Sequence, residues 1–118
     1  MSALAALSLN ACSDSDAVKP APFASVGWIQ AAPIANHRTV RSQMIDDLLR
    51  RYKFTGWTRQ QLIALLGPPT TKASGFDQWD IVYVLGLERS GSLSLDDEAL
   101  GFKFDSADRV SNYGLSVN

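Results

Sequence analysis

Few residues in this 118-residue chain could do chemistry, and their types limit what that chemistry would be. His37 is the only histidine; it sits beside Arg38 at the expected start of a helix, with no nucleophile or orienting acid nearby, so a surface or capping role fits better than a general base. Asp96, Asp97 and Glu98 form an acidic run, but lack the alternating ligand spacing and glycine of a calcium-binding loop. They read as a solvated stretch that a partner could contact. The segment from Gly86 to Gly91 contains no phosphate-cradling pattern. Cys12 is the only cysteine. An intramolecular disulfide and a zinc site built on several thiolates are therefore excluded. No catalytic set and no metal or cofactor site is recognisable, and the chain reads as a non-enzyme.

Composition narrows the class further. With 46% hydrophobic and 19% charged residues, the chain can bury one core but not two. Eleven basic against twelve acidic side chains give a net charge of −1, which does not suggest a nucleic-acid partner. That total conceals an asymmetry. Residues 36–72 hold seven basic and two acidic residues, whereas 73–118 hold three basic and eight acidic. The helical half is thus positive and the strand half negative, so one charged face could meet a partner or lipid headgroups.

The cysteine gains meaning from what precedes it. Residues 1–11 are mostly small or apolar and run into Leu9-Asn10-Ala11-Cys12, which resembles a bacterial lipobox. They read as a truncated signal peptide ending in small residues that a peptidase can accommodate. No Lys or Arg precedes Cys12, which points to a start codon placed too far downstream. By resemblance to lipoproteins, the Cys12 thiol takes the lipid, and Ser13 after it favours the outer membrane. Residues 12–36, rich in Ala, Ser and Pro, read as a lipid-anchored tether with a coil span of roughly 25–30 Å. Phe23, Trp28, Ile29 and Ile34 are apolar enough to dock on the domain or at the membrane surface.

The folded domain is expected over 37–118. Asn36 is a plausible N-cap for a helix over 37–52, with Val40, Met44, Leu48 and Tyr52 in one row widened by Ile45 and Leu49. A second helix begins with the capping box Thr58-Arg59-Gln60-Gln61, buries Leu62, Leu65 and Leu66, and ends at a left-handed Gly67 before Pro68-Pro69. Gly56 permits the turn between the helices. Strands follow. Residues 78–85 place Trp79, Ile81, Tyr83 and Leu85 on one face; 98–105 turn Leu100, Phe102 and Phe104 inward; 109–117 align Tyr113, Leu115 and Val117. Val110 falls out of phase, the mark of a bulge. Residues 86–97 read as a long hairpin loop. The expected fold is α+β: two N-terminal helices packed on a three-stranded antiparallel meander, in the order ααβββ.

The string from Phe54 to Pro69 resembles the hallmark of the SmpA/OmlA (BamE-like) outer-membrane lipoproteins, carried by Gly56, Thr58, Gln61, Leu62, Leu66, Gly67 and Pro69. Gln78–Tyr83 and Leu100–Asp105 with Arg109-Val110 are similar to the family's strands, so the resemblance spans about 38–117. It implies a non-enzymatic lipoprotein on the periplasmic face of the bacterial outer membrane, a protein-interaction module accessory to the assembly of β-barrel proteins or to envelope integrity. Its implied partners are subunits of the barrel-assembly machinery and outer-membrane phospholipid reached through acylated Cys12. Trp57, on the interhelix turn, is the candidate anchor for a partner. The same fold occurs in β-lactamase-inhibitor-like modules. A periplasmic binding or inhibitor module, docking an enzyme through the sheet or the 86–97 loop, is therefore the alternative.

Overall fold

A computed structural model describes residues 18–71, 74–89 and 96–118. The element order is α1 (Ser25–Gln30), β1 (Pro33–Ile34), β2 (Arg38–Thr39), α2 (Arg41–Arg51), α3 (Arg59–Leu66), β3 (Ile81–Leu87), β4 (Asp97–Phe104) and β5 (Val110–Val117). The five strands form one antiparallel sheet in the order β1-β2-β3-β4-β5. This corrects the expected ααβββ fold on a three-stranded meander: a helix and two strands precede α2, and the sheet has five strands. The sequence concealed β1 and β2 because two-residue strands cannot display an alternation.

The same finding corrects the tether. Of its residues, 18–36 belong to the fold. Trp28 is fully buried and Phe23 is 7% exposed. Three contacts fix this segment: Ala21 N–H donates to the Gln43 carbonyl at 2.8 Å, Phe23 N–H to the Asp47 carboxylate at 2.8 Å, and Ser25 Oγ to the Leu65 carbonyl at 2.6 Å. Docking of Phe23 and Trp28 therefore goes to the domain. Asn36 is not a cap either. It lies with His37 in the β1–β2 turn at φ 63° and 57°, a left-handed geometry that Asn and His adopt more readily than most residues. Helix α2 starts four residues later than expected, after Val40, with no side-chain cap.

The core has an aromatic centre. Ile45 and Leu48 of α2, Leu62 and Leu66 of α3, and Tyr83, Leu85, Leu100 and Phe102 of the sheet are all fully buried with Trp28. Phe54, between α2 and α3, meets Trp57, Phe102 and Tyr113 edge-on with ring centroids 4.8, 5.4 and 5.3 Å away. Edge-to-face pairs of this kind add directional attraction to the burial of area.

The far face of the sheet is covered as well, and here the strand reading needs correction. Trp79 does not share a face with Tyr83 and Leu85. It packs with Phe76, Val82, Val84 and Ala99 in a second, smaller cluster. Its indole lies over Gly101, where an added Cβ would come within 2.2 Å of the ring, and its Nε1–H donates to Ser116 Oγ at 2.8 Å. Ala99 and Gly101, on the face of β4 opposite Leu100 and Phe102, are therefore buried too. The bulge in β5 is present: Lys103 faces Asn112 but Phe104 faces Val110, so Ser111 is the extra residue. A second irregularity follows Val84, where Gly86 at φ 113° lies against β2. A Cβ there would sit 2.5 Å from Arg38 Cα, so only glycine lets β2 join the sheet.

Candidate interaction site

The stretch from Phe54 to Pro69 is built from the backbone outward. Thr58 is the N-cap of α3: its Oγ1 accepts from Gln61 N–H at 3.1 Å, and Gln61 Oε1 accepts from Thr58 N–H at 2.9 Å. Leu62 and Leu66 fill the core beneath. Gly67 ends the helix at φ 78°, ψ −172°. The expected left-handed cap is thus replaced by a conformation essentially confined to glycine. The Gly67 carbonyl accepts the Tyr83 hydroxyl at 2.8 Å, and burial pushes that hydroxyl's pKa up to about 12. Pro69 is half-buried. Gly56, at φ 89°, donates its N–H to the Val110 carbonyl at 2.8 Å. The Trp57 carbonyl accepts from Val110 N–H at 2.8 Å, so the interhelix turn pairs with the start of β5. These residues hold the helices on the sheet.

The surface beside them is a shallow cleft of about 400 Å³ lined by Thr58, Arg59, Gln60, Ile63, Ala107 and Asp108. Arg59 closes one side. Its guanidinium grips Asp108 with three hydrogen bonds of 2.9–3.1 Å and lies 4.0 Å over the Phe104 ring. The Asp108 hydrogen bonds raise the Arg59 pKa above its ordinary value. Arg59 belongs to the positive half and Asp108 to the negative one, so part of the charge asymmetry is spent within the molecule.

The candidate partner contacts are separated by the fold. Trp57 is half-buried and packs edge-on against Phe54 and, at 5.8 Å, Tyr52, which makes it part of the core lining. The acidic run is not one solvated loop. Only Asp96 lies outside the strands; Asp97 and Glu98 open β4, where they face Leu87 and Gly86. Glu98 is 7% exposed and binds Arg89 through both oxygens, at 2.9 and 3.2 Å. Arg89 also reaches Asp46 at 3.2 Å. His37 is exposed, and its carbonyl accepts from Leu87 N–H at 3.0 Å. Cys12 and residues 1–11 lie outside the described residues.

Sequence reasoning missed three arginines that the fold uses internally. Arg41 is 7% exposed, its guanidinium 5.3 Å from the Trp28 ring and 5.6 Å from that of Tyr83, with Nε donating to the Trp28 carbonyl at 2.8 Å. Burial lowers its pKa. The signal was present: Arg41 precedes Ile45 and Leu48 by four and seven positions, on the buried stripe of the helix. Arg38 crosses to the Leu87 and Glu88 carbonyls, and Arg89 holds Glu98. Asp47 accepts from Phe23 N–H, Arg50 and Arg51. The backbone hydrogen bond from Phe23 is the main reason its pKa falls below the ordinary 3.8.

No group of three or more metal-ligating side chains occurs among the described residues. No described helix is long and apolar enough to cross a membrane. What remains on the surface is Val26 and Ile29 of α1, 68% and 39% exposed, and Leu115 and Val117 of β5, 38% and 43% exposed. Comparison of the chain with protein-family models, curated proteins and solved structures finds no match.

Proposed function

We propose that this chain is a non-enzymatic interaction module of the bacterial envelope, anchored on the periplasmic face of the outer membrane by acylation of Cys12 and accessory to assembly of β-barrel proteins there. The observation that carries the reading is Leu9-Asn10-Ala11-Cys12 followed after a short span by a small domain. Ala21 is already hydrogen-bonded to α2. Nine residues on from Cys12, even fully extended, reach only about 30 Å. An acylated Cys12 therefore keeps the domain beside the bilayer, and α1, with its exposed Val26 and Ile29, is the element that follows it in the chain. The buried arginines and satisfied ion pairs also favour a binding scaffold over a reaction centre.

The test has two arms. Palmitate labelling in a bacterial host, with Cys12→Ser as control, reads the anchor; the expected result is label in the outer-membrane fraction that the variant loses. Crosslinking in that envelope followed by mass spectrometry reads the partner, and subunits of the barrel-assembly machinery are expected. Absence of label rejects the anchored reading. Label without those subunits rejects the assembly role and leaves a lipoprotein with another client.

A further inference from the structure

Strand β5 ends the sheet, and beyond the bulge at Ser111 its outer edge carries none of the usual protections. Residues 110–117 (VSNYGLSV) contain no charge and no proline, whereas exposed edges are normally blunted by Lys, Pro, brevity or a covering element. The opposite edge, β1, is two residues long. Asn118 N–H donates to the Asp97 carbonyl at 3.2 Å. The alternation of an antiparallel ladder then turns the backbone of Asn112, Gly114 and Ser116 toward β4, and that of Tyr113, Leu115 and Val117 outward. The bulge reverses this phase before Ser111, which is why Val110 can bond Gly56 and Trp57 on the outer side. That turn seals the head of the edge. Among the described residues no strand pairs with the remainder.

We infer that this edge pairs with β5 of a second copy of the chain, antiparallel about a two-fold axis at Gly114, to give a continuous ten-stranded sheet. Side-chain complementarity favours the second copy. With Gly114 facing Gly114, Tyr113 of each copy lies opposite Leu115 of the other and Ser111 opposite Val117. The two Tyr113–Leu115 pairs thus stand on one face, and the Asn112–Ser116 pairs with Gly114 on the other. Leu115 and Val117, partly exposed in one copy, gain apolar neighbours. The free window is one strand's edge, too small for an obligate interface, so monomer and dimer exchange with concentration.

Sedimentation equilibrium of the full chain from micromolar to millimolar concentration, with amide exchange at both ends of the range, tests this. The expected result is an average mass rising from 12.8 kDa toward twice that value, with exchange at Tyr113, Leu115 and Val117 slowed about tenfold while Gly114 and Ser116 are protected throughout. Leu115→Pro removes an outward N–H and no bond to β4, so it should fold and stay monomeric. Val117→Lys should do the same and decides the matter if the proline variant does not fold. A constant monomer mass at millimolar concentration overturns the inference. So does a folded Val117→Lys variant that dimerises as the parent does. Protection of the three amides in a monomer overturns it too, and assigns the edge to another segment of the same chain.

Discussion

Replacing Trp28 by alanine tests the largest departure of the fold from its sequence, the incorporation of residues 18–36. Trp28 is fully buried between Phe23 and Tyr83, with ring centroids 5.9 and 6.2 Å away, and the Arg41 guanidinium lies 5.3 Å from its ring. Truncating a buried tryptophan to alanine costs about 3–5 kcal/mol in transfer and cavity terms. Loss of the cation–π contact adds about 1 kcal/mol. At roughly 0.1 kcal/mol per residue, a fold of this size has about 10 kcal/mol in total, so roughly half of its stability should go. Trp28→Phe should cost far less, because it keeps an aromatic ring and removes the indole N–H, which has no acceptor among the described residues. Urea unfolding followed by circular dichroism measures both. If Trp28→Ala lies within about 0.5 kcal/mol of the parent, as a surface substitution would, the segment is a tether after all and the packing argument is refuted.

Four further outcomes are expected. Thr58→Ala removes the Oγ1 that accepts from Gln61 N–H and leaves the Gln61 side chain on the residue 58 backbone N–H; it should cost about 1 kcal/mol, read as a lower urea midpoint at constant slope. Gly101→Val drives a side chain into the Trp79 ring; about 1–3 kcal/mol of strain and a shifted Trp79 indole resonance should result. Tyr83→Phe leaves the Gly67 carbonyl without its hydroxyl and should cost about 1–3 kcal/mol. Because the folded pKa of Tyr83 is raised, from 10.0 to about 12, its contribution is whole below pH 10 and is lost as pH rises toward 12; the phenylalanine variant should lack that part of the alkaline loss. Asp47 behaves oppositely. Its folded pKa is lowered, so its contribution is present above the ordinary 3.8 and lost as pH falls through the folded value; Asp47→Asn should flatten the acid limb of stability against pH.

Local signals survived folding where one short stretch held all the parts. The capping box at Thr58 and Gln61, the stripe of Ile45 and Leu48, and the bulge beside Val110 each depend on neighbours a few residues apart. The strand faces were harder. Trp79 fits the alternation of Tyr83 and Leu85 by number, yet it precedes β3 and crosses to the other side of the sheet. Glu98 looked like one of three solvated acids because its partner Arg89 lies across the hairpin.

By itself the sequence determined the two main helices, the long strands, the stop at Gly67 and two of the reactive groups available, one thiol and one imidazole. Those follow from periodicity and from residue types whose preferences act over a few bonds. Only the tertiary structure decided that residues 18–36 complete the core, that Arg41 lies between two rings and that Glu98 faces inward. Each of these is a contact between residues far apart in the chain, and its energy exists only once the rest of the core has brought them together.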